Sequence, residues 1–265
     1  MSLITLTTDY GPAAPHSGLL KGQLYQSVPA ETRLCDLSHA IEPGYLHQAA
    51  FLLRHSFPAF PPGSIHLVAV NECCASERWL AAQWEGHYFL LPDNGLLPML
   101  SEQAALPAVH RIDPPAAPGL FPARTVLAPA AVHLARGGKL SLLGPAESDY
   151  RQGALLRPSA DPQQGFIKGS VMDIDHYGNL ITNIPRSLFQ RMGHERPFAI
   201  ELPRRQTLHR LHQQYHEASE GSILALFNSL DLLEIALKDP HSRRYNGAHS
   251  MLGIAIGDTL RLVFQ

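Results

Sequence analysis

The sequence predicts an α/β N-terminal domain, a sheet flanked by helices, followed by a smaller mainly-β C-terminal domain. Three observations predict it. The first half alternates short β-branched apolar runs with stretches of helical spacing, a polar proline-bearing break interrupts this at 157–165, and beyond the break strand-like runs recur between turns. The domains are accordingly drawn as 1–156, α/β, and 166–265, β-barrel-like, with 157–165 as linker. A chain of 265 residues is long enough for two modest cores.

Leu3 to Thr7, Arg33 to Leu37, Ser64 to Val70 and Tyr88 to Leu91 are short, apolar and rich in β-branched or aromatic residues, so they read as strands. Gly18 to Val28 and Tyr45 to Phe57 carry apolar residues at helical spacing. Pro58, Pro61 and Pro62 end the second, because proline lacks the amide hydrogen a helix needs. Val126 to Leu134 predicts a further helix, with Gly137 and Gly138 where a left-handed cap belongs. Past the break, Phe166 to Ile174, Asn179 to Ile184, Phe198 to Leu202, Ile223 to Phe227, Leu232 to Leu237 and Thr259 to Phe264 read as strands of a small sandwich or barrel.

Composition narrows the function. With 45% hydrophobic and 17% charged residues the chain is too apolar for disorder. A formal net charge of -2 leaves no basic surplus for phosphate backbones or anionic lipid, so nucleic acid and membrane partners are not expected. The opening Met-Ser-Leu-Ile-Thr-Leu lacks a basic leader, and no stretch nears the roughly 18 apolar residues that span a bilayer, so a cytoplasmic location is expected. Cys35, Cys73 and Cys74 cannot build a disulfide framework, which fits a reducing compartment. The 15 histidines are scattered, without metal-ligand spacing, so no metal is expected.

Three clusters can carry chemistry, and each has a plainer alternative. Asp9 ends the first strand, where α/β folds bind ligands, and its carboxylate can accept both hydroxyls of a vicinal diol; it can equally cap a turn. In Asp175-His176-Tyr177-Gly178-Asn179, a flat ring, a glycine and a carboxamide suit a purine, or they make a hairpin turn with Tyr177 in the core. Asn228-Ser229 sits between two strands, suited to a carboxylate or amine, or simply to a turn. Asp93-Asn94-Gly95 reads as a strand-to-helix turn with Asp93 or Asn94 as its cap.

In this order the segments resemble the S-adenosylmethionine hydroxide adenosyltransferase family, relatives of the fluorinase and chlorinase enzymes. The resemblance is carried by residues 7–11 (Thr7-Thr8-Asp9-Tyr10-Gly11), 36–39, 60–66, 93–97, 128–135, 175–184, 228–229 and 233–236. It implies a homotrimer with small-molecule sites at subunit interfaces, between the N-terminal domain of one subunit and the C-terminal domain of its neighbour. It implies no cofactor and no metal, with S-adenosylmethionine as substrate. By carry-over Asp9 holds the ribose hydroxyls, Tyr177 stacks on adenine, Asn179 reads the adenine edge and Ile181 packs on the ring, while Asp175 and Ser229 hold the methionine end. The reaction implied is in-line displacement at ribose C5′, in which water expels neutral methionine and leaves adenosine.

The resemblance weakens at the groups that handle the nucleophile. The family carries Asp-Pro-Gly-Val-Gly after the third strand and an Arg seven residues beyond the Asp; this chain has Asn71-Glu72-Cys73-Cys74 and keeps Arg78. The family's Phe-His-Gly-Arg-Asp is Phe121-Pro122-Ala123-Arg124-Thr125 here, and a further family Asp is Ala14. Arg78 and Asn71 are therefore the residues expected at the nucleophile, with hydrolysis slowed by the missing proton acceptors. Glu72 can replace the lost carboxylate only if an extended segment does not turn it away from Asn71. Cys73 and Cys74 read either as thiols activated by Arg78 or as small buried hydrophobes. Alternatives to an S-adenosylmethionine hydrolase are a decayed S-adenosylmethionine or adenosine binder, and adenosyl transfer to a halide or another small nucleophile.

Overall fold

The computed structural model describes residues 2–73, 77–101, 108–114, 117–194, 196–238 and 247–265. It divides into two compact units, Met1–Leu155 and Leu156–Gln265. The expected α/β and mainly-β domains are both present.

The first unit runs β1 (Leu3–Thr8), α1 (Pro15–Ser27), β2 (Arg33–Ser38), α2 (Leu46–Ser56), β3 (Ile65–Ala69), β4 (Trp79–Trp84), β5 (His87–Pro92), α3 (Leu96–Leu100), β6 (Ala108–Arg111) and α4 (Ala128–Ala135), the last preceded by a wide π-type turn at Ala123–Leu127. The strands form a six-stranded sheet in the order β2-β1-β3-β5-β4-β6. β2, β1, β3 and β5 are parallel, whereas β4 pairs antiparallel with β5 and β6. The period-2 pattern sends Ile4, Leu6, Ile65 and Leu67 to one face, against Leu20 and Leu24 of α1 and Ala131 and Leu134 of α4. Val68, Leu80, Phe89 and Leu91 go to the other, against Ala49 and Leu53 of α2 and Leu96 of α3. Each fully buried leucine stabilises the fold by about 1.5–3 kcal/mol.

β4 and β6 were not legible as strands. Trp79–Trp84 is alanine-rich, which favours helix, yet Glu85 and Gly86 both take positive φ (49° and 80°) and fold it back on β5 as a two-residue hairpin. A Glu-Gly pair is a weaker signal for that turn than Asn-Gly. At the end of α4 the sequence reading holds: Gly137, at φ 82°, donates its N–H to Leu134 O where the helix stops.

The second unit runs β7 (Ser159–Asp161), β8 (Phe166–Ile174), β9 (Leu180–Pro185), α5 (Arg186–Gly193), β10 (Phe198–Leu202), β11 (Gln206–Leu208), β12 (Leu211–His212), β13 (Ile223–Phe227), β14 (Leu232–Leu237), α6 (Ala248–Leu252) and β15 (Thr259–Phe264). Its nine-stranded sheet has the order β11-β10-β15-β8-β9-β14-β13-β12, with β7 beside β8. β8 serves two neighbourhoods: Phe166 to Ser170 pair with β15, and Val171 to Ile174 pair with β9 across a register shift at Val171/Asp173. Ile167, Ile184, Ile200, Leu233 and Leu262 fill the core.

Two sequence expectations change here. The segment drawn as linker, 157–165, contains β7, because Asp161 Oδ1 accepts the N–H groups of Gln163 and Gln164 at 2.9 and 3.0 Å and turns the chain back onto β8. The barrel-like expectation gives way to an open ladder among the described residues, since β11 and β12 end it without pairing. α5, unread in the sequence, buries Leu188 and Met192, one helical turn apart.

Candidate active site

The parallel strands of the first unit end on one edge of the sheet, and the loops that leave them meet there: Asp9 and Tyr10 after β1, His39 after β2, Asn71 and Glu72 after β3, Asp93 after β5. β4 is antiparallel, which brings Arg78 to the same edge at its start.

Asp9 is the fixed point of this edge. Its Oδ2 accepts the N–H of Gly44 at 3.0 Å and of Asn71 at 2.9 Å, so two separate loops hold one carboxylate oxygen. Asp9 thus organises turns, and its partly exposed carboxylate retains capacity for further donors. Asn71 sits at φ 50°, left-handed, and contributes its backbone N–H to Asp9 while its side chain is exposed. Thr8 Oγ1 lies 2.9 Å from His39 Nδ1, and His39 Nε2 lies 3.2 Å from Asp36 Oδ1. Burial works against the charge on Asp36, yet hydrogen bonds from Lys21 and His39 overcome it and hold its carboxyl below the usual range.

Glu72 reaches inward from the β3 loop. Its Oε1 accepts the Tyr10 hydroxyl at 2.6 Å and its Oε2 the Ala123 N–H at 2.6 Å. Burial raises its pKa; the bonds from Tyr10 and Ala123 partly offset this, and the charge of Asp9 adds to it. Burial, and then the negative charge of Glu72, push the Tyr10 hydroxyl far above its ordinary value, so Tyr10 stays a donor. Tyr10 packs with His16 and Phe121, ring centroids 5.2 to 5.7 Å apart. Pro122 is buried at the start of the π-type turn and Ala14 precedes α1.

Arg78, expected beside Asn71, grips the buried Asp93 at 2.5 Å and approaches Glu147 at 3.9 Å. Asn94, not Asp93, caps the turn into α3 through Leu96 N–H at 3.1 Å. Cys73 is exposed and Cys35 half-buried; Cys74 lies outside the described residues. Among the described residues no three His, Cys, Asp or Glu side chains stand together as a metal site, and no helix is long and apolar enough to cross a membrane.

In the second unit the 175–179 cluster is the β8–β9 hairpin turn. Asp175 Oδ1 accepts the N–H groups of Tyr177 and Asn179, both at 2.9 Å, and Oδ2 accepts Asn179 Nδ2 at 3.0 Å. Asn179 is buried and keeps its carboxamide oxygen and one Nδ2 hydrogen for other partners. Gly178, at φ 74°, makes the turn, and Gly247 packs so close behind it that an added Cβ would lie 2.1 Å from Tyr177 O. Tyr177 is not in the core: it is 65% exposed, a ring presented to solvent by a rigid turn.

Ile181 pairs with Asp173 on one side and Glu234 on the other, so the three share a face of the sheet. Ser229 is exposed at the tip of the β13–β14 turn, which Asn228 shapes by accepting Leu230 N–H at 2.9 Å. The sequence reading did not single out Glu234, which lies beside this cluster. It is buried, accepts Tyr215 Oη–H at 2.7 Å and Asn228 Nδ2 at 3.1 Å, and burial raises its pKa with Asp175 adding to the rise. Tyr215 opens a single 3-10 turn, Tyr215–Glu217, too short to give a sequence signal.

Comparison with known proteins adds a further set of observations. The sequence profile of the SAM hydroxide adenosyltransferase N-terminal domain matches residues 4–144, and that of the corresponding C-terminal domain matches 169–261. An (R)-S-adenosyl-L-methionine hydrolase of Thermus thermophilus is 30% identical over 99% of this chain and 100% of its own length. One from Salinispora arenicola is 28% identical over 98% of this chain and 97% of its own. A fluorinase of an Actinoplanes species is 26% identical over 72% of this chain and 74% of its own. In structure, an uncharacterized conserved protein from Thermotoga maritima superposes with a TM-score of 0.83 at 23% identity, covering 98% of this chain and 99% of that one.

Proposed function

This chain belongs to the SAM hydroxide adenosyltransferase family, and on that premise we propose that it hydrolyses S-adenosylmethionine to adenosine and L-methionine. One observation carries the reading to this chain's own residues: a carboxylate at the end of β1, anchored by two backbone N–H groups, stands ready for a ribose diol. Asp9 takes the ribose hydroxyls. Tyr177 offers its exposed ring to adenine, Asn179 its carboxamide to the adenine edge, and Ile181 the apolar floor. Asp175 and Ser229 receive the amino and carboxylate ends of methionine.

Water attacks C5′, the C5′–S bond breaks, and its electron pair leaves with sulfur as the neutral thioether. A sulfonium leaves readily, so positioning supplies most of the acceleration, and substrate alone suffices without a cofactor or a metal. Asn71 and Arg78 belong to the loop that flanks the nucleophile, Asn71 as a neutral orienting group and Arg78 as the cation that keeps buried Asp93 in place. We further propose a cytoplasmic homotrimer that shares each ligand between the N-terminal unit of one subunit and the C-terminal unit of its neighbour.

The replacement of two family proton-handling groups by Asn71 and Pro122 favours one second reading, a binder that has lost turnover. Purified protein incubated with each sulfonium epimer of S-adenosylmethionine, with and without chloride, separates the outcomes. Adenosine plus methionine supports the hydrolase. Saturable binding without product supports the binder, and a chlorinated nucleoside would redirect the assignment to halide transfer.

A further inference from the structure

We infer that Glu72 accepts the proton of the attacking water, an assignment that rests on the hydrolase reading of the site. In an extended segment Glu72 would face away from its neighbour Asn71. The segment is not extended: β3 ends at Ala69, and Asn71 at φ 50° breaks the alternation. The turn swings Glu72 inward, onto the Tyr10 hydroxyl and the Ala123 N–H. It thus bridges the loop that carries Asp9 and the turn that begins at Pro122.

The other carboxylates on this edge have other tasks. Asp36 is held by Lys21 at 2.8 Å and by His39, Asp93 by Arg78, and Asp9 already binds two loops through one oxygen. Glu72 differs from Asp36 and Asp93 in that its two bonds come from neutral donors, and from Asp9 in that these bonds fall one on each oxygen, each of which keeps a lone pair. Partial desolvation and the nearby charge of Asp9 raise its basicity, while a cation partner lowers that of Asp36. Among these carboxylates Glu72 is the one that combines exposure to water with proton affinity.

The step balances without a further reactant. A water oxygen forms the bond to C5′, the C5′–S pair departs on sulfur, the water proton moves to Glu72 Oε, and the carboxylic acid then releases it to solvent. Among the described residues, Asp9, Tyr10, His16 and the adjacent Cys73 are the titratable groups around Glu72. Asp9 pushes its pKa up and His16 down, and Tyr10 remains protonated.

Glu72→Gln in the full chain is the test. Its amide oxygen still accepts the Ala123 N–H and its NH₂ donates to the Tyr10 oxygen, because a hydroxyl works in both senses. Packing is therefore kept and only the proton acceptor is lost. With S-adenosylmethionine, kcat is expected to fall about 100-fold or more while KM and calorimetric adenosine affinity stay unchanged. The rise of kcat with pH that titration of Glu72 produces in the unaltered protein should vanish. Formate should restore turnover to Glu72→Ala. Wild-type kcat in Glu72→Gln, a matched loss of adenosine affinity, or no rescue by formate overturns the assignment. If the unaltered protein forms no adenosine, the hydrolase reading fails and this assignment with it; if it does and Glu72→Gln equals it, only the Glu72 role falls.

Discussion

The Asp9 edge and the Asp175 hairpin are both carboxylates held by backbone N–H groups, but they are built on different scales. Asp9 collects Gly44 and Asn71 from loops far along the chain, and Glu72 collects Tyr10 and Ala123. Asp175 closes on Tyr177 and Asn179, at most four residues away. The first arrangement exists only when the whole sheet has assembled; the second needs one hairpin. Damage to the first should therefore spread through its unit, and damage to the second should stay with the ligand.

The largest effect is expected from Arg78→Ala. It leaves Asp93 buried without its cation, a loss of about 3–5 kcal/mol for a fully buried partner and less to the extent that Arg78 is wet. Urea unfolding followed by hydrogen exchange should show the cost in the first unit only. Asp9→Ala removes two charge-assisted bonds worth about 1.5–3 kcal/mol each and the ribose acceptor together. Adenosine affinity should drop on the order of 100-fold. An unchanged calorimetric Kd would end the ribose assignment.

Acid should separate the units next. His66 is wholly buried, with Nδ1 2.7 Å from Thr5 Oγ1 and Nε2 3.1 Å from His87 Nδ1. Burial pushes its pKa down to about 3, with His87 adding to the fall. A depressed pKa contributes stability that is complete above the unfolded value of 6.5 and is lost as pH falls toward the folded one, about 2 kcal/mol by pH 5. Glu72 in the first unit and Glu234 in the second have raised pKa values that act in the opposite sense, with stability lost as pH rises from 4.5 through the folded value, so these two offset each other in the comparison and His66 is left to separate the units. Amide exchange at pH 7 and pH 5 should show protection falling in the first unit and not in the second. Equal loss in both would mean the buried His66–His87 pair is not the cause.

The smallest effect belongs to Tyr177→Ala. An exposed ring adds little to folding, so the melting temperature should hold, while adenosine affinity drops about 2- to 10-fold for one lost stacking contact of roughly 0.5–1.5 kcal/mol. A lower melting temperature with unchanged affinity would put Tyr177 back in the fold and out of the site.

Legibility in the sequence divided along the same scales. Thr259–Phe264, Ile223–Phe227 and Leu232–Leu237 were readable to the residue, because alternation and turn residues are local properties. The Asp175 turn was readable for the same reason. Glu234 was not: its meaning comes from Tyr215, which no local pattern marks. Arg78 was readable as a charge but not by its partner, since Asp93 meets it only when β4 folds back on β5.

The sequence by itself determined the two unlike units, the family and the Asp175 turn, because hydrophobic period, turn chemistry and motif order are written along the chain. Only the tertiary structure decided which way Glu72 points and what Arg78 holds. A single left-handed residue at Asn71 reverses the expected alternation, and a long-range ion pair forms only between strands that have found each other.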